Sequence, residues 1–436
     1  MTNCTQYPIQ FPSIKNKKVL ANFLGGDISS DGGILLLRKI DQKLKLTASL
    51  AKSFSDRRAP GKIDHTILQM LRQRVYGIAA GYEDLNDHDS LKDDLAMQTA
   101  VGKESALASS PTLCRFENSF SRKEAILVHQ ALFESFIQSF PSPPKKLILD
   151  FDATDIPIHG NQESKAFHGY YDHDCFLPLH VFCKEKLLVS YLRKSNEDQA
   201  KHTWAIFALL YRYLKKVWPE AEINFRGDGG FCRPCFLEWL DRNKIGYIIG
   251  ATCNARLKKA LEPYLAEAKK NYEAVGGVQQ VFAQFAYRAG SWKRPRKVIG
   301  KAECSAVKEQ CRVIVTNLEG EKEDLYKQQY CPRGNMENKI KEQFLLFSDR
   351  TSAHRWWPNQ FRLLLSALAY VLIEHLRSGY LKNTKWAQAQ VDTIRLKLFK
   401  IGAVIFKNTR KILFNLSSSY PDQDLFHNLA AVMNSS

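Results

Sequence analysis

Leu147-Ile148-Leu149-Asp150-Phe151-Asp152-Ala153-Thr154-Asp155 is the stretch on which the fold turns, an apolar run that leads directly into acids. A period of two makes it a strand on which Asp150 and Asp152 share one face, with Asp152 nearer the end, where a metal ion could be reached. Acids where a strand passes into a loop often serve only as caps. The stretch alone therefore leaves Asp150, Asp152 and Asp155 all open as the functional acid.

Upstream, Pro141-Ser142-Pro143-Pro144 breaks the chain and suggests a domain boundary. Before it the sequence reads as mainly helical after an irregular start. Ile63, Ile67, Met70, Leu71, Val75 and Ile78 recur at helical spacing, as do Val128, Leu132 and Phe136, and Ser110-Pro111 has the order of a helix start. Downstream the texture is that of strands: Cys175 to Cys183, then Leu187 to Arg193 across the turn Lys184-Glu185-Lys186. An amphipathic helix from about Gln199 to Val217 follows. Next come a strand Ile223 to Arg226 ending at Gly227-Asp228-Gly229-Gly230, a helix, and a strand Tyr247 to Ile249. This order predicts a mixed sheet with helices on its faces.

Between about 270 and 328 the sequence reads as β-rich with a basic turn, Trp292, Lys293, Arg294 and Arg296. A tryptophan beside cations could stack on a displaced base, or could simply cover a turn. Beyond it, Pro332 and Gly334 argue against helix before Asn335, which would cap a helix carrying Glu337 in its first turn, where the helix dipole favours an anion. Lys341, four residues on, shares that exposed face. A helix from about Pro358 to Arg377 and an alternating basic segment Ile394 to Leu416 close the chain. The expected divisions are a helical DNA-binding or scaffold region 1–140, a catalytic domain in two parts, 145–255 and 329–380, a basic β-rich insertion 256–328, and a basic C-terminal region 381–436.

The 436 residues suffice for a large core, and 63 Lys plus Arg against 45 Asp plus Glu give a net charge of +18. With 11% aromatic residues, this balance suits a polyanion-binding surface and makes nucleic acid the leading partner. The ten cysteines are scattered and no signal sequence precedes them, which suggests a reducing, intracellular compartment. The one tight pair, Cys232 and Cys235, lacks a second pair at zinc spacing and reads as two buried helix residues. The longest apolar stretch, around Leu363 to Ile373, is shorter than the ~20 residues that span a bilayer.

Phosphodiester cleavage without a protein nucleophile needs charge neutralised at the phosphate and an activated oxygen, which a pair of divalent ions can supply if carboxylates from separate elements hold them. Asp152, Asp228 and Glu337 are the acids best placed at element ends. Asp152-Ala153-Thr154-Asp155, His159-Gly160 and His168-Gly169-Tyr170-Tyr171-Asp172 form one motif group. Arg226-Gly227-Asp228-Gly229-Gly230-Phe231-Cys232 and Tyr330-x2-Arg333-x3-Glu337 form two more, and Phe23-Leu24-Gly25-Gly26 lies near the start. With these motifs the chain resembles the DDE transposases of bacterial insertion sequences, and within them the insertion-sequence-1380 family. The Tyr-Arg-Glu spacing is the most specific of them.

That resemblance implies an α/β, ribonuclease H-like mixed sheet with flanking helices, a β-rich insertion before the last catalytic helix, and a helical N-terminal domain. It implies catalysis and metal binding by Asp152, Asp228 and Glu337, Asp152 being preferred because Asp-Ala-Thr looks like the Asp-small-Thr motif of related transposases. It further implies two Mg2+ ions, with Mn2+ able to substitute, and DNA contacts from Tyr330, Arg333, Lys341, Trp292, Lys293, Arg294 and Arg296. The wider signature has a lysine seven residues after the glutamate, where this chain has Phe344; Lys341 or Lys339 would take its role. The expected function is cleavage of the element's terminal inverted repeats and strand transfer into target DNA, by a cytoplasmic, nucleoid-associated enzyme that dimerises on DNA. The alternatives are a ribonuclease H-like nuclease or resolvase without strand transfer, and a domesticated DNA-binding protein.

Overall fold

In the computed structural model, which describes residues 8–435, the apolar run around Leu149 forms the strand from which the main sheet grows in both directions. Cys4 lies outside the described residues. The sheet has eight strands: β1 (Lys146–Ala153), β2 (Leu179–Cys183), β3 (Lys186–Tyr191), β4 (Glu222–Gly227), β5 (Tyr247–Ala251), β6 (Gln279–Tyr287), β7 (Arg296–Cys304) and β8 (Glu309–Thr316). Their order is β6-β7-β8-β5-β4-β1-β2-β3. The pairs β1–β4 and β4–β5 are parallel, and the outer pairs are antiparallel. The mixed sheet expected from the element order is therefore present.

Alternation along the central strands gives the sheet two different faces. Leu149 and Phe151 of β1, Phe225 of β4, and Tyr247 and Ile249 of β5 belong to one buried cluster. Phe207 and Leu210 of α2 (Thr203–Val217) and Phe236 and Leu237 of α3 (Pro234–Arg242) complete it, with α1 (Arg122–Gln138) contributing Phe136. The Phe225 and Phe236 rings meet edge-on with centroids 4.8 Å apart. Each such side chain contributes about 1.5–3 kcal/mol by leaving water. The opposite face packs Ile248, Ile299 and Ile314 against Leu325 and Tyr326. It also carries Asp150, with Arg226 directly across from it on β4.

Several local expectations change. The run Cys175 to Cys183 is two strands, His173–Phe176 and Leu179–Cys183, because Pro178 has no N–H for a ladder; its carbonyl accepts from Thr154 N at 3.3 Å. The first of the two joins a small sheet with Ile156–Pro157 and Ala166–His168. The strands after α4 (Ala255–Val275) continue the main sheet, since β8 pairs with β5 through Ile249 and Val315. Helical structure also precedes Asn335: a π-helical turn Leu325–Tyr330 and a 3-10 turn Cys331–Arg333 lead into α5 (Gly334–Leu345). Pro332 is accommodated in the first turn of that 3-10 segment, where a missing N–H costs nothing. Cys232 precedes α3 half-buried and Cys235 is exposed, so they are not two buried helix residues.

The strands above lie in one compact unit, Phe120–Ala367, and a second unit holds the chain up to Ser119 and again from Leu368. The second unit packs helices such as Leu35–Leu44, Ile67–Ala80 and Ser110–Asn118, with the buried Arg74 and Glu117 paired at 2.8 Å. The alternating basic segment forms helical turns over Val391–Phe399 and then the hairpin Ala403–Lys407 with Ile412–Leu416. Among the described residues no helix is long and apolar enough to cross a membrane.

Candidate active site

Parallel pairing of β1 and β4 brings their C-terminal ends to one edge of the sheet. Gly227 stands opposite Phe151, so the next residues, Asp228 and Asp152, emerge side by side. Asp152 is 7% exposed. Burial pushes its carboxyl up to about 7; Arg333 opposes that shift, and Asp228 and Glu337 add to it. Those two acids therefore lie within electrostatic reach of Asp152.

Asp228 turns the chain out of β4. Its Oδ1 accepts from Gly230 N at 2.8 Å and caps the turn Gly229–Phe231, whereas among the described residues its Oδ2 has only a long contact, from Gln199 Nε2 at 3.5 Å. Glu337 sits in the first turn of α5 with its side chain 57% exposed. Arg333 joins two of the three acids: Nη1 donates to Asp152 Oδ2 at 3.1 Å and Nη2 to Glu337 Oε1 at 3.2 Å.

The neighbouring acids are engaged elsewhere. Asp150 accepts both Nε and Nη2 of Arg226, the latter at 2.7 Å, and both residues are buried. Arg226 Nη1 also donates to the carbonyl of Gln329 at 2.5 Å, tying the turn before Tyr330 to the sheet. Asp155 Oδ2 lies 3.0 Å from His173 Nε2. Of the three acids near the end of β1, Asp152 is the one that accepts from Arg333 and is within electrostatic reach of Glu337.

Tyr330 is held close over β5. A Cβ on Gly250 would lie 2.6 Å from the Tyr330 hydroxyl and 2.9 Å from the backbone N of Gly229, so the absence of a side chain there admits both. Burial raises the Tyr330 hydroxyl pKa above its usual value, Arg333 lowers it, and Asp228 raises it. Beside this group opens a cleft of about 370 Å³ lined by Lys301, Arg312, Tyr326, Tyr330, Arg333 and Glu337 among others. Lys301 and Arg312 are cross-strand partners on β7 and β8. Sequence reasoning assigned no role to Arg226, Gly250, Arg312 or Tyr326. For Arg226 a signal existed, a strand arginine one neighbouring strand away from an acid on the same face.

Four of the remaining sequence-nominated residues are engaged away from the carboxylates. Trp292 is buried in the cluster on the opposite face, edge-on to Tyr287, with the Arg296 guanidinium 5.2 Å from its ring centre. Lys293 pairs with Glu238 at 3.2 Å; Arg294 and Arg296 pair with Asp241 at 2.6 and 3.1 Å. All four residues thus fasten the turn between β6 and β7 to α3 or to the core beside it. Lys341 is exposed one turn beyond Glu337, Lys339 pairs with Glu342 at 3.6 Å, and Phe344 packs against a small cluster that includes Ile156 and Leu363.

Among the described residues no three Asp, Glu, His or Cys side chains close around one point. The donor set nonetheless fits a hard divalent cation: three carboxylates from separate elements, two of them already gathered around the cationic Arg333 guanidinium.

A family model described as Transposase DDE domain group 1 matches residues 11–436. Among solved structures, the cryo-EM synaptic complex of piggyBac transposase with hairpin DNA aligns over 83% of this chain and 78% of that chain, at 12% identity and a TM-score of 0.41. Comparison with curated proteins gives no match.

Proposed function

We propose that this chain, which belongs to the family of transposases with a group 1 DDE domain and is a metal-dependent enzyme that cuts and joins DNA, performs its chemistry at Asp152, Asp228 and Glu337. The observation that carries the reading is the Arg333 bridge between Asp152 and Glu337, beside an Asp228 whose Oδ2 has only a weak partner. Parallel central strands flanked by antiparallel ones, with helices on the apolar face, support a ribonuclease H-like description of the sheet.

When bound, the divalent ions, two Mg2+ on this reading with Mn2+ able to substitute, neutralise the phosphate and activate the attacking oxygen. Asp152, Asp228 and Glu337 hold them. Arg333 has five donors; the two carboxylates take two, Tyr330 engages it as well, and the remaining donors can reach a phosphate oxygen. Tyr330, fixed over Gly250, and Lys341, exposed on α5, contact the same DNA strand. Arg312 adds positive charge along the adjoining cleft, where Lys301 is paired with Glu303 at 2.6 Å. Trp292, Lys293, Arg294 and Arg296 act structurally, holding the β6–β7 turn in place.

The substrates on this reading are the terminal inverted repeats of an element resembling the insertion-sequence-1380 family. Cleavage frees a 3′-hydroxyl that then attacks target DNA, and a dimer forms on the DNA because two ends must be processed together. Asp152→Asn, Asp228→Asn and Glu337→Gln should each lower Mg2+-dependent end cleavage by more than about a hundredfold, the upper range for losing even an outer partner of a metal ligand. Calorimetric titration with Mn2+ should show weakened binding in the same variants. Undiminished cleavage by Asp152→Asn would overturn the assignment, and pre-cut ends incubated with plasmid test strand transfer separately.

A further inference from the structure

The segment after Asp152 builds a surface that the carboxylate site does not use. Only Thr154 and Asp155 separate β1 from the small sheet of Ile156–Pro157, His173–Phe176 and Ala166–His168. Its underside is fixed: Ile156, Ile158 and Phe176 are buried with Leu363. The connection between its first two strands is pinned by Gln162 Nε2 donating to the Thr351 carbonyl at 2.9 Å and by Glu163 N donating to the His354 carbonyl at 2.8 Å.

Its outer end is aromatic. His168 and His173 are cross-strand partners, and the turn between them closes through Tyr171 N and Asp172 N on the His168 carbonyl at 3.1 and 2.9 Å, with Asp172 at φ 58°. Tyr171 lies 4.9 Å from the His168 ring and 6.1 Å from that of His173, and Tyr170 stands edge-on to Tyr171 at 5.0 Å. Tyr170 is 85% exposed, although the sheet beneath it is firmly anchored. An exposed ring backed by half-buried His168, Tyr171 and His173 on a rigid support marks a contact surface.

We propose that the Tyr170–Tyr171–His168 cluster is a stacking platform for an unpaired nucleobase of the DNA whose phosphate lies at Asp152. The proposal rests on the carboxylate reading above for the position of the phosphate. Continuity with that site supplies the partner, since the small sheet begins at Ile156, four residues beyond Asp152, and His173 is held to Asp155 at 3.0 Å. Tyr171 is pushed up to about 12, by burial first and then by Asp155, Tyr170 and Asp152, which puts its ring within electrostatic reach of the carboxylates. Local charge selects the base over the backbone. Asp155 stands beside His173 and within electrostatic reach of Tyr171, and Lys165 is paired with Asp174 at 3.4 Å, so a phosphate would be repelled where a neutral base would not. Stacking accepts any base and needs no cation.

The test uses the full-length protein in EDTA with two probes, a duplex bearing an unpaired tail that contains 2-aminopurine and a blunt duplex. Wild type should quench the tail fluorescence and Tyr170→Ala should restore it, with the tailed probe bound about 5- to 150-fold more weakly and the blunt probe unchanged. Tyr170→Phe should behave as wild type. Unchanged thermal unfolding of Tyr170→Ala, expected for a residue this exposed, shows that the effect is local. Absence of quenching in wild type, or equal weakening of both probes by Tyr170→Ala, overturns the platform. The readout needs no metal, so it is independent of Mg2+-dependent cleavage by Asp152→Asn: quenching with undiminished cleavage by that variant would refute the carboxylate reading and keep the platform.

Discussion

Arg226→Met isolates the buried pair that fastens the third-acid helix to the sheet. In wild type Arg226 gives two hydrogen bonds to Asp150 and a third to the Gln329 carbonyl, one residue before Tyr330. Asp150 is 4% exposed and Arg226 7%, so removing one partner leaves a carboxylate with almost no access to water. Breaking such a pair costs about 3–5 kcal/mol, whereas replacing both members by apolar groups of similar size is often neutral. Urea unfolding at neutral pH should therefore show Arg226→Met destabilised by about 3–5 kcal/mol and the double variant Asp150→Leu/Arg226→Met within ~1 kcal/mol of wild type. End cleavage should not follow stability. In the double variant the Gln329 carbonyl has lost its donor, so the Tyr330–Glu337 segment is no longer tied to β4 and kcat should stay low. If the double variant recovers both stability and cleavage, the pair is merely structural and the tether argument fails. If the single variant costs less than ~1 kcal/mol, the pair is not buried as described.

Three further outcomes follow from other residues. Arg333→Ala should lower end cleavage while tightening Mn2+ binding by up to about tenfold per 1.4 kcal/mol of guanidinium–carboxylate contact removed, because Asp152 and Glu337 then lose a competing cation; unchanged Mn2+ affinity by calorimetry would count against competition. Gly250→Ala drives a Cβ toward the Tyr330 hydroxyl and the Gly229 backbone, and should cost about 1–3 kcal/mol in stability together with a loss of cleavage larger than that of Tyr330→Phe. His88 is fully buried between Gln73 and Arg74, and burial, then Arg74, lower its pKa to about 3. Its folded value lies below the unfolded ~6.5, so the stability it contributes is present above ~6.5 and declines by up to roughly 1.4 kcal/mol per pH unit on acidification toward 3. His88→Gln should flatten that part of the stability–pH curve, and a slope identical to wild type would exclude His88 as its source.

The legible parts of the fold were those governed by alternation within one strand. Leu147 to Asp152 announces a strand with two acids on one face because that period is local, and the run around Phe225 ends at a glycine-rich turn for the same reason. The strand break at Pro178 was readable in principle, since a proline inside an apolar run removes a ladder donor. The joining of β6–β8 to the main sheet was not, because Ile249 meets Val315 across 66 residues, counted from their numbers, and no local pattern encodes that partner. Helical turns before Asn335 were also hidden: Pro332 and Gly334 disfavour helix by propensity, and burial of Leu325 and Tyr326 against Ile248 and Ile314 overrides that.

For the site, motif and position carried unequal weight. Sequence alone could not separate Asp150 from Asp152, because both lie on the same face of β1; what distinguishes them is a partner on another strand. Arg226 occupies Asp150 from β4, while Arg333, reaching in from the turn before α5, meets Asp152. The two arginines have opposite consequences. Arg226 neutralises its acid in a closed, three-bonded contact that serves as an anchor, and Arg333 spans two acids in an open contact that an incoming cation can displace. A carboxylate held by a cation that can leave is suited to catalysis, and one held by a cation that cannot leave is suited to support. That difference supports the proposed reading, in which Asp152 serves the chemistry and Asp150 the scaffold.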